Sequence, residues 1–181
     1  MDNRNARHAQ ALVVGAGPAG LVAGITLARY GVDVLVVDKR NEIATLSRAL
    51  VISTRSMEIL RSWGLEDAVR SGAADVEPCG WVTHTLASDV GTQIPLGYPT
   101  AAEAERSSPT RPAWVPQDHL EPVLLAHLRR FPRAEVCFGA ELMALDQRED
   151  GVRAVLRDRS CGRSWAVDAL FVVGADGANT A

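Results

Sequence analysis

Apolar residues along the chain gather in short runs separated by polar or small-residue turns. Residues 12–14 and 169–173 carry no charge, and residues 32–37 carry only Asp33. Such runs predict strands buried on both faces, as in a parallel sheet. Between the first two lies an apolar, helix-compatible stretch, residues 21–30, closed by Gly31. The opening therefore reads strand, turn, helix, strand over residues 10–38. Met57, Ile59, Leu60 and Trp63 fall on one face of a second helix, capped by Ser53 or Thr54 and stopped by Gly64, with a short helix at 65–70 behind it. Leu120, Val123, Leu124, Ala126 and Leu128 predict a helix from His119 to about Arg130, ended by Phe131 and Pro132. Strands are expected at 81–86 and 92–96 around a turn at 89–91, and at 135–147, 152–158 and 164–174. Asp150-Gly151 and residues 160–163 are the turns of the last three. Residues 1–9 are polar and expected to fray, and 41–52 reads as a loop. Residues 98–112, with Pro99, Pro109 and Pro112, read as a mobile connecting loop.

Composition narrows the classes. The 181 residues are 47% hydrophobic and 23% charged, which suits a soluble globular fold with one sizeable core. A net charge of −3 offers no basic surface for nucleic acid. Cys79, Cys137 and Cys161 lie far apart without zinc spacing, so free thiols in a reducing cytoplasm are expected. His8, His84, His119 and His127 form no metal pattern, and no G-x-S-x-G element supports a serine hydrolase. Residues 9–28 lack charge, yet Gly15, Gly17, Pro18, Gly20 and Gly24 make them a poor continuous helix for a membrane span or signal.

Candidate chemistry concentrates in the opening unit. Gly15, Gly17 and Gly20 have G-x-G-x-x-G spacing. The first permits a tight turn, the second lets backbone approach a pyrophosphate, and the third lets the helix pack closely on the sheet. Phosphates would meet free N–H groups at the helix N-terminus, where the dipole favours negative charge. Asp38 ends the second strand and is placed to accept hydrogen bonds from a ribose diol. The full strand–turn–helix–strand–acid context makes this a dinucleotide site. The run 169–173 delivers a second small-residue turn with an acid, Gly174-Ala175-Asp176-Gly177, which implies a bipartite nucleotide site.

Four separated motifs then carry a resemblance: Gly15-Ala16-Gly17-Pro18-Ala19-Gly20 with Asp38-Lys39-Arg40; Ser47-Arg48-Ala49 followed by residues 55–60; Gln117-Asp118-His119-Leu120-Glu121; and Val173-Gly174-Ala175-Asp176-Gly177-Ala178. In order and spacing the chain resembles the single-component FAD-dependent aromatic hydroxylases of the para-hydroxybenzoate and phenol hydroxylase type. The resemblance implies an α/β fold. It would comprise a Rossmann-like FAD-binding domain of the glutathione-reductase βαβ type and the start of an inserted β-rich substrate domain. The implied division is 1–74 and 113–181 for the FAD domain and 75–112 for the insertion. It also implies roles. The glycine loop, with Pro18 and the Ala19 N–H, would hold the FAD pyrophosphate. Asp38 would bind the adenosine ribose with Lys39 and Arg40 beside it. Arg48 would reach the flavin phosphates or ribityl chain, and Gln117 the ribityl or pyrophosphate region. Leu142 would line the adenine, and Asp176 would serve FAD and the nicotinamide donor. The family usually has Glu where Asp38 stands, and it continues past the Asp-Gly motif, so the chain is expected to be a piece of a longer enzyme.

The implied chemistry is hydroxylation of an aromatic or polyketide-like phenol. NAD(P)H reduces FAD, O₂ adds at the flavin C4a position, and the hydroperoxide transfers one oxygen atom. No residue is assignable as a catalytic base. Three other readings share the opening motif: an NAD-dependent Rossmann dehydrogenase, a truncated non-catalytic nucleotide-binding module, and a flavin halogenase or reductase. Asp38 argues for FAD or NAD over NADP at the first site. Oligomeric state is open.

Overall fold

The structure, a computed structural model, describes residues 6–43, 51–74, 76 and 79–178. In chain order the elements are β1 (Arg7–Val14), α1 (Pro18–Arg29), β2 (Val34–Asp38), β3 (Val51–Ile52), α2 (Thr54–Ser62), α3 (Glu66–Arg70), β4 (Cys79–Thr83), β5 (Gly91–Pro95), α4 (Ala101–Ser107), β6 (Ala113–Trp114), α5 (Gln117–Leu128), β7 (Ala134–Phe138), β8 (Ala140–Arg148), β9 (Gly151–Asp158) and β10 (Ser164–Gly174). They pack as two units, residues 1–46 with 120–181, and residues 47–119.

The first unit is built on a six-stranded sheet in the order β7-β2-β1-β10-β9-β8. The strands β7, β2, β1 and β10 run parallel, and β10, β9 and β8 form an antiparallel meander. All five residues of β2 are buried, as are the last four of β1, so both strands sit inside the unit. Leu12, Val14, Leu35 and Val37 pack with Ala140, Ala154, Leu156, Val167 and Ala169 in one core. Helix α1 and the end of α5 meet the sheet at Gly24, where a β-carbon would stand 2.9 Å from Val36 Cγ2 and 3.2 Å from Leu128 Cδ2. Gly24 is thus the glycine that lets helix and sheet approach, at the cost of a helix-interior glycine.

Several sequence expectations change here. Strand β1 begins at Arg7, which pairs with Val167 of β10, so ladder pairing extends order into the stretch expected to fray, with an Arg7–Glu135 ion pair at its start. The expected strand at 135–147 is two strands, because Gly139 takes a φ of +72° and turns the chain between β7 and β8. The β8–β9 hairpin pairs Arg148 with Gly151, so Glu149 and Asp150 form its loop, one residue earlier than expected. The apolar run 169–173 is not buried on both faces: Leu170 is 53% exposed and Phe171 70%. Pairing with β9 ends at Ala169, so beyond it β10 is paired through β1 alone among the described residues.

In the second unit, Ser53 caps α2 by accepting a hydrogen bond from the Ser56 N–H, and Met57 and Leu60 are buried. Strands β3 and β6 pair antiparallel, as do β4 and β5. The expected loop at 98–112 contains α4. Thr100 and Glu103 form a reciprocal capping box at its start, which satisfies the orphan N–H groups of a short helix. Gly72 has the His119 ring where its β-carbon would stand, and His119 Nε2 lies 2.9 Å from the Ala68 carbonyl, so His119 holds the end of α3.

Candidate functional site

The site of the first unit forms where β1, β2 and β10 end together. After Val14 the chain turns at Gly15, whose φ of +108° lies in the region that favours glycine. A β-carbon there would stand 2.3 Å from the Ala175 carbonyl oxygen and 2.8 Å from Asp176 Cα. The Gly15 N–H donates to the Val37 carbonyl at 2.7 Å, and the Ala175 N–H donates to the Val14 carbonyl at 2.7 Å. The two glycine-and-acid turns foreseen in the sequence are therefore joined at Gly15.

The other glycines divide their duties differently from expectation. A β-carbon on Gly20 would stand 1.8 Å from the Gly15 carbonyl oxygen, so this glycine seats α1 on the turn, and Gly24 seats it on the sheet. Gly17 has an ordinary φ of −76°, and among the described residues its β-carbon would meet only Glu121 Oε1, at 3.9 Å. Neither packing nor backbone strain demands glycine there; the open approach to the helix start is what a side chain would fill. Helix α1 begins at Pro18 with no side-chain cap and no acidic residue in its first turn, and Ala19 is exposed. The start of this 12-residue helix is thus a positive dipole end without a side-chain cap among the described residues, a fit for a pyrophosphate.

Asp38 is only 7% exposed at the end of β2. Its Oδ2 accepts from the Ala16 N–H at 2.7 Å and from Arg40 Nη2 at 2.9 Å. Its Oδ1 accepts from the Arg40 N–H at 2.8 Å and from Arg40 Nε at 3.0 Å. Burial pushes this carboxyl up, but the Arg40 fork and the two backbone N–H groups outweigh it and hold Asp38 below the usual carboxylate range. Arg40 is pushed up, chiefly by its hydrogen bonds to Asp38, against burial and with the charges of Asp38 and Glu121 adding to it. Lys39 is exposed, and its carbonyl accepts from Arg159 Nη1 at 3.3 Å.

Leu142, half-buried on β8, and Asp176 line one open groove of 990 Å³ together with Val14 and Gly174. Gln117 is the first residue of α5, buried, in the second unit. Arg48 lies outside the described residues. Gly15, Gly17, Pro18, Ala19, Gly20, Asp38, Lys39, Arg40, Leu142 and Asp176 all belong to the first unit. Sequence reasoning gave no role to Glu121, a fully buried carboxylate behind the glycine loop. The signal was present: Glu121, Leu124 and Leu128 fall at i, i+3 and i+7 on one helix face. Among the described residues no His, Cys, Asp and Glu group suits a metal, and no helix is long and apolar enough to cross a membrane.

A family model described as an FAD binding domain matches residues 8–181. The chain belongs to this FAD-binding family. Its relatives include 2,4-dichlorophenol 6-monooxygenase of Delftia acidovorans, 36% identical over 93% of this chain and 30% of the relative. Aklavinone 12-hydroxylase of Streptomyces peucetius subsp. caesius is 34% identical over 94% of this chain and 36% of the relative. Among solved structures, the flavin-dependent monooxygenase PieE in complex with FAD and substrate superposes with a TM-score of 0.87 at 32% identity, covering 95% of this chain and 31% of that one. This FAD-binding domain thus spans about a third of the length of the curated relatives it matches. The mixed α/β architecture, with its parallel strands β7, β2, β1 and β10, matches the fold of that FAD-bound monooxygenase.

Proposed function

We propose that this chain is the FAD-binding part of an FAD- and NAD(P)H-dependent monooxygenase that hydroxylates an aromatic or polyketide-like phenolic substrate with O₂. The observation that carries the reading is Gly17. Among the described residues it is the one glycine of the loop whose β-carbon position packing leaves open, at a helix start without a side-chain cap and beside a buried acid. Relatives named for the oxygenation of a chlorinated phenol and of aklavinone support the substrate class. FAD, when bound, accepts hydride from NAD(P)H and activates O₂, so that one oxygen atom enters the substrate and the other leaves as water.

This chain's residues bind and orient. The N–H groups at the start of α1 hold the pyrophosphate, with Gly17 and Pro18 giving close approach and Ala19 an N–H donor. Asp38 takes the adenosine ribose, flanked by Lys39 and Arg40. Leu142 lines the adenine, and Asp176 faces the flavin side and the nicotinamide donor. Arg48 and Gln117 serve the phosphates or ribityl chain. Residues 75–112 begin the substrate domain, and 1–74 with 113–181 make up the FAD domain. The unpaired thiols of Cys79, Cys137 and Cys161 support a reducing, cytoplasmic setting.

The test has two stages. The purified chain, titrated with FAD, is expected to quench flavin fluorescence and to retain a flavin absorbance band; no binding sinks the cofactor assignment. The longer enzyme carrying this domain is expected to consume NAD(P)H and O₂ in step with one hydroxylated phenol. Reduction of the flavin without any oxygenated product overturns the monooxygenase reading.

A further inference from the structure

Asp38 is already saturated. A carboxylate offers about four lone-pair sites, and four N–H groups of this chain point at them: the Ala16 and Arg40 backbone N–H, and Arg40 Nε and Nη2. The two backbone donors are set by the fold, one by the turn after β1 and one by the residue two beyond Asp38. The two side-chain donors are movable. They form a fork of two adjacent N–H groups, and a ribose presents two adjacent hydroxyls to the same acceptor. We propose that Arg40 is a displaceable stand-in for the ribose: its guanidinium holds the two Asp38 positions that the adenosine hydroxyls of FAD require, and it swings away as they bind. The inference rests on the FAD reading of Asp38 above.

The geometry supports an exchange of two donors for two. The Arg40 side chain is 37% exposed while that of Asp38 is 8%, so the guanidinium can reach water without moving the strand. It lines a cleft of 240 Å³ with Lys39, Asn41, Arg159 and Ser160, which gives it room. Its backbone N–H stays on Asp38, so the carboxylate is never left with fewer than two donors during the exchange. That matters because a buried charge stripped of partners is costly. Arg40 is on this account a positioning residue, acting through Asp38. It also reduces the rate at which FAD associates, because only the open fraction binds.

Stopped-flow quenching of flavin fluorescence on the full chain tests this, with wild type, Arg40→Ala and Arg40→Lys compared after circular dichroism shows all three folded. Arg40→Ala is expected to associate with FAD on the order of tenfold faster than wild type, and Arg40→Lys, which loses the fork but keeps the charge, to fall between. A merely structural Arg40 would lower the melting temperature without speeding association. NMR supplies a second readout: the Arg40 Nε–H resonance of wild type, assigned by its loss in both variants, is expected to shift on saturation with FAD. Association that is unchanged or slower in Arg40→Ala, or an Nε–H resonance that does not move, overturns the exchange and leaves the FAD reading standing. Failure of all three proteins to bind FAD overturns both.

Discussion

Gly20 rests on the carbonyl oxygen of Gly15, so closely that a β-carbon would stand 1.8 Å from it. The contact is backbone against backbone and cannot be relieved by a rotamer change. Gly20→Ala is therefore expected to lift α1 from the turn and cost about 3 kcal/mol of stability. Chemical denaturation checks this; a midpoint equal to wild type would show that the turn yields freely.

Gly17 separates stability from binding. With an ordinary φ and, among the described residues, no packing contact nearer its β-carbon position than Glu121 Oε1 at 3.9 Å, Gly17→Val is expected to stay folded, losing about 1 kcal/mol for a poorer helix start. The same variant should no longer retain FAD. Thermal melts and flavin content, measured on one preparation, check both halves; wild-type flavin content would rule out the pyrophosphate assignment.

Asp38 ties stability to pH. Its folded carboxyl lies below the ordinary value, because the Arg40 and Ala16 donors outweigh burial. Its contribution is thus present above the ordinary carboxylate pKa and is lost as pH falls through the lower folded value. Asp38→Asn should be less stable than wild type at pH 7 by about 1–3 kcal/mol. The gap is expected to close on acidification. Melts from pH 7 to 3 read it directly, and a gap independent of pH would remove the charge from the argument.

Glu66 does the same in the second unit. Burial raises it, but the Thr110 hydroxyl, Arg61 and Arg70 hold it down at about 2, from an ordinary 4.5. Arg70 also donates from Nη2 to Thr110 Oγ1 at 2.8 Å and to the Arg111 carbonyl at 2.6 Å, so the network ties α3 to the segment before β6. Glu66→Gln is expected to cost about 1–3 kcal/mol at neutral pH. The stability that Glu66 adds should fade between pH 4.5 and about 2. Amide exchange across residues 108–114 should quicken in the variant; unchanged exchange would make the network decorative.

The sequence by itself determined what depends on neighbours along the chain. The strand–turn–helix–strand order, the G-x-G-x-x-G turn and the acid closing β2 follow from short-range periodicity and turn chemistry, and they stand in the structure. Thr100 and Glu103 also carry a legible capping-box spacing, though the prolines on either side mask it. Tertiary structure decided what depends on distant partners. It put Gly20 on the turn and Gly24 on the sheet, because only the approach of Gly15, Val36 and Leu128 distinguishes two small residues in one helix. It placed Glu121 behind the loop and left Leu170 and Phe171 exposed, because an apolar run does not say where a neighbouring strand ends. It also turned Asp38, which alone reads as an acid waiting for a ribose, into one whose acceptors Arg40 already fills. Helix and strand period fix which residues share a face; which groups meet across the ends of β1, β2 and β10 is settled only when the sheet closes.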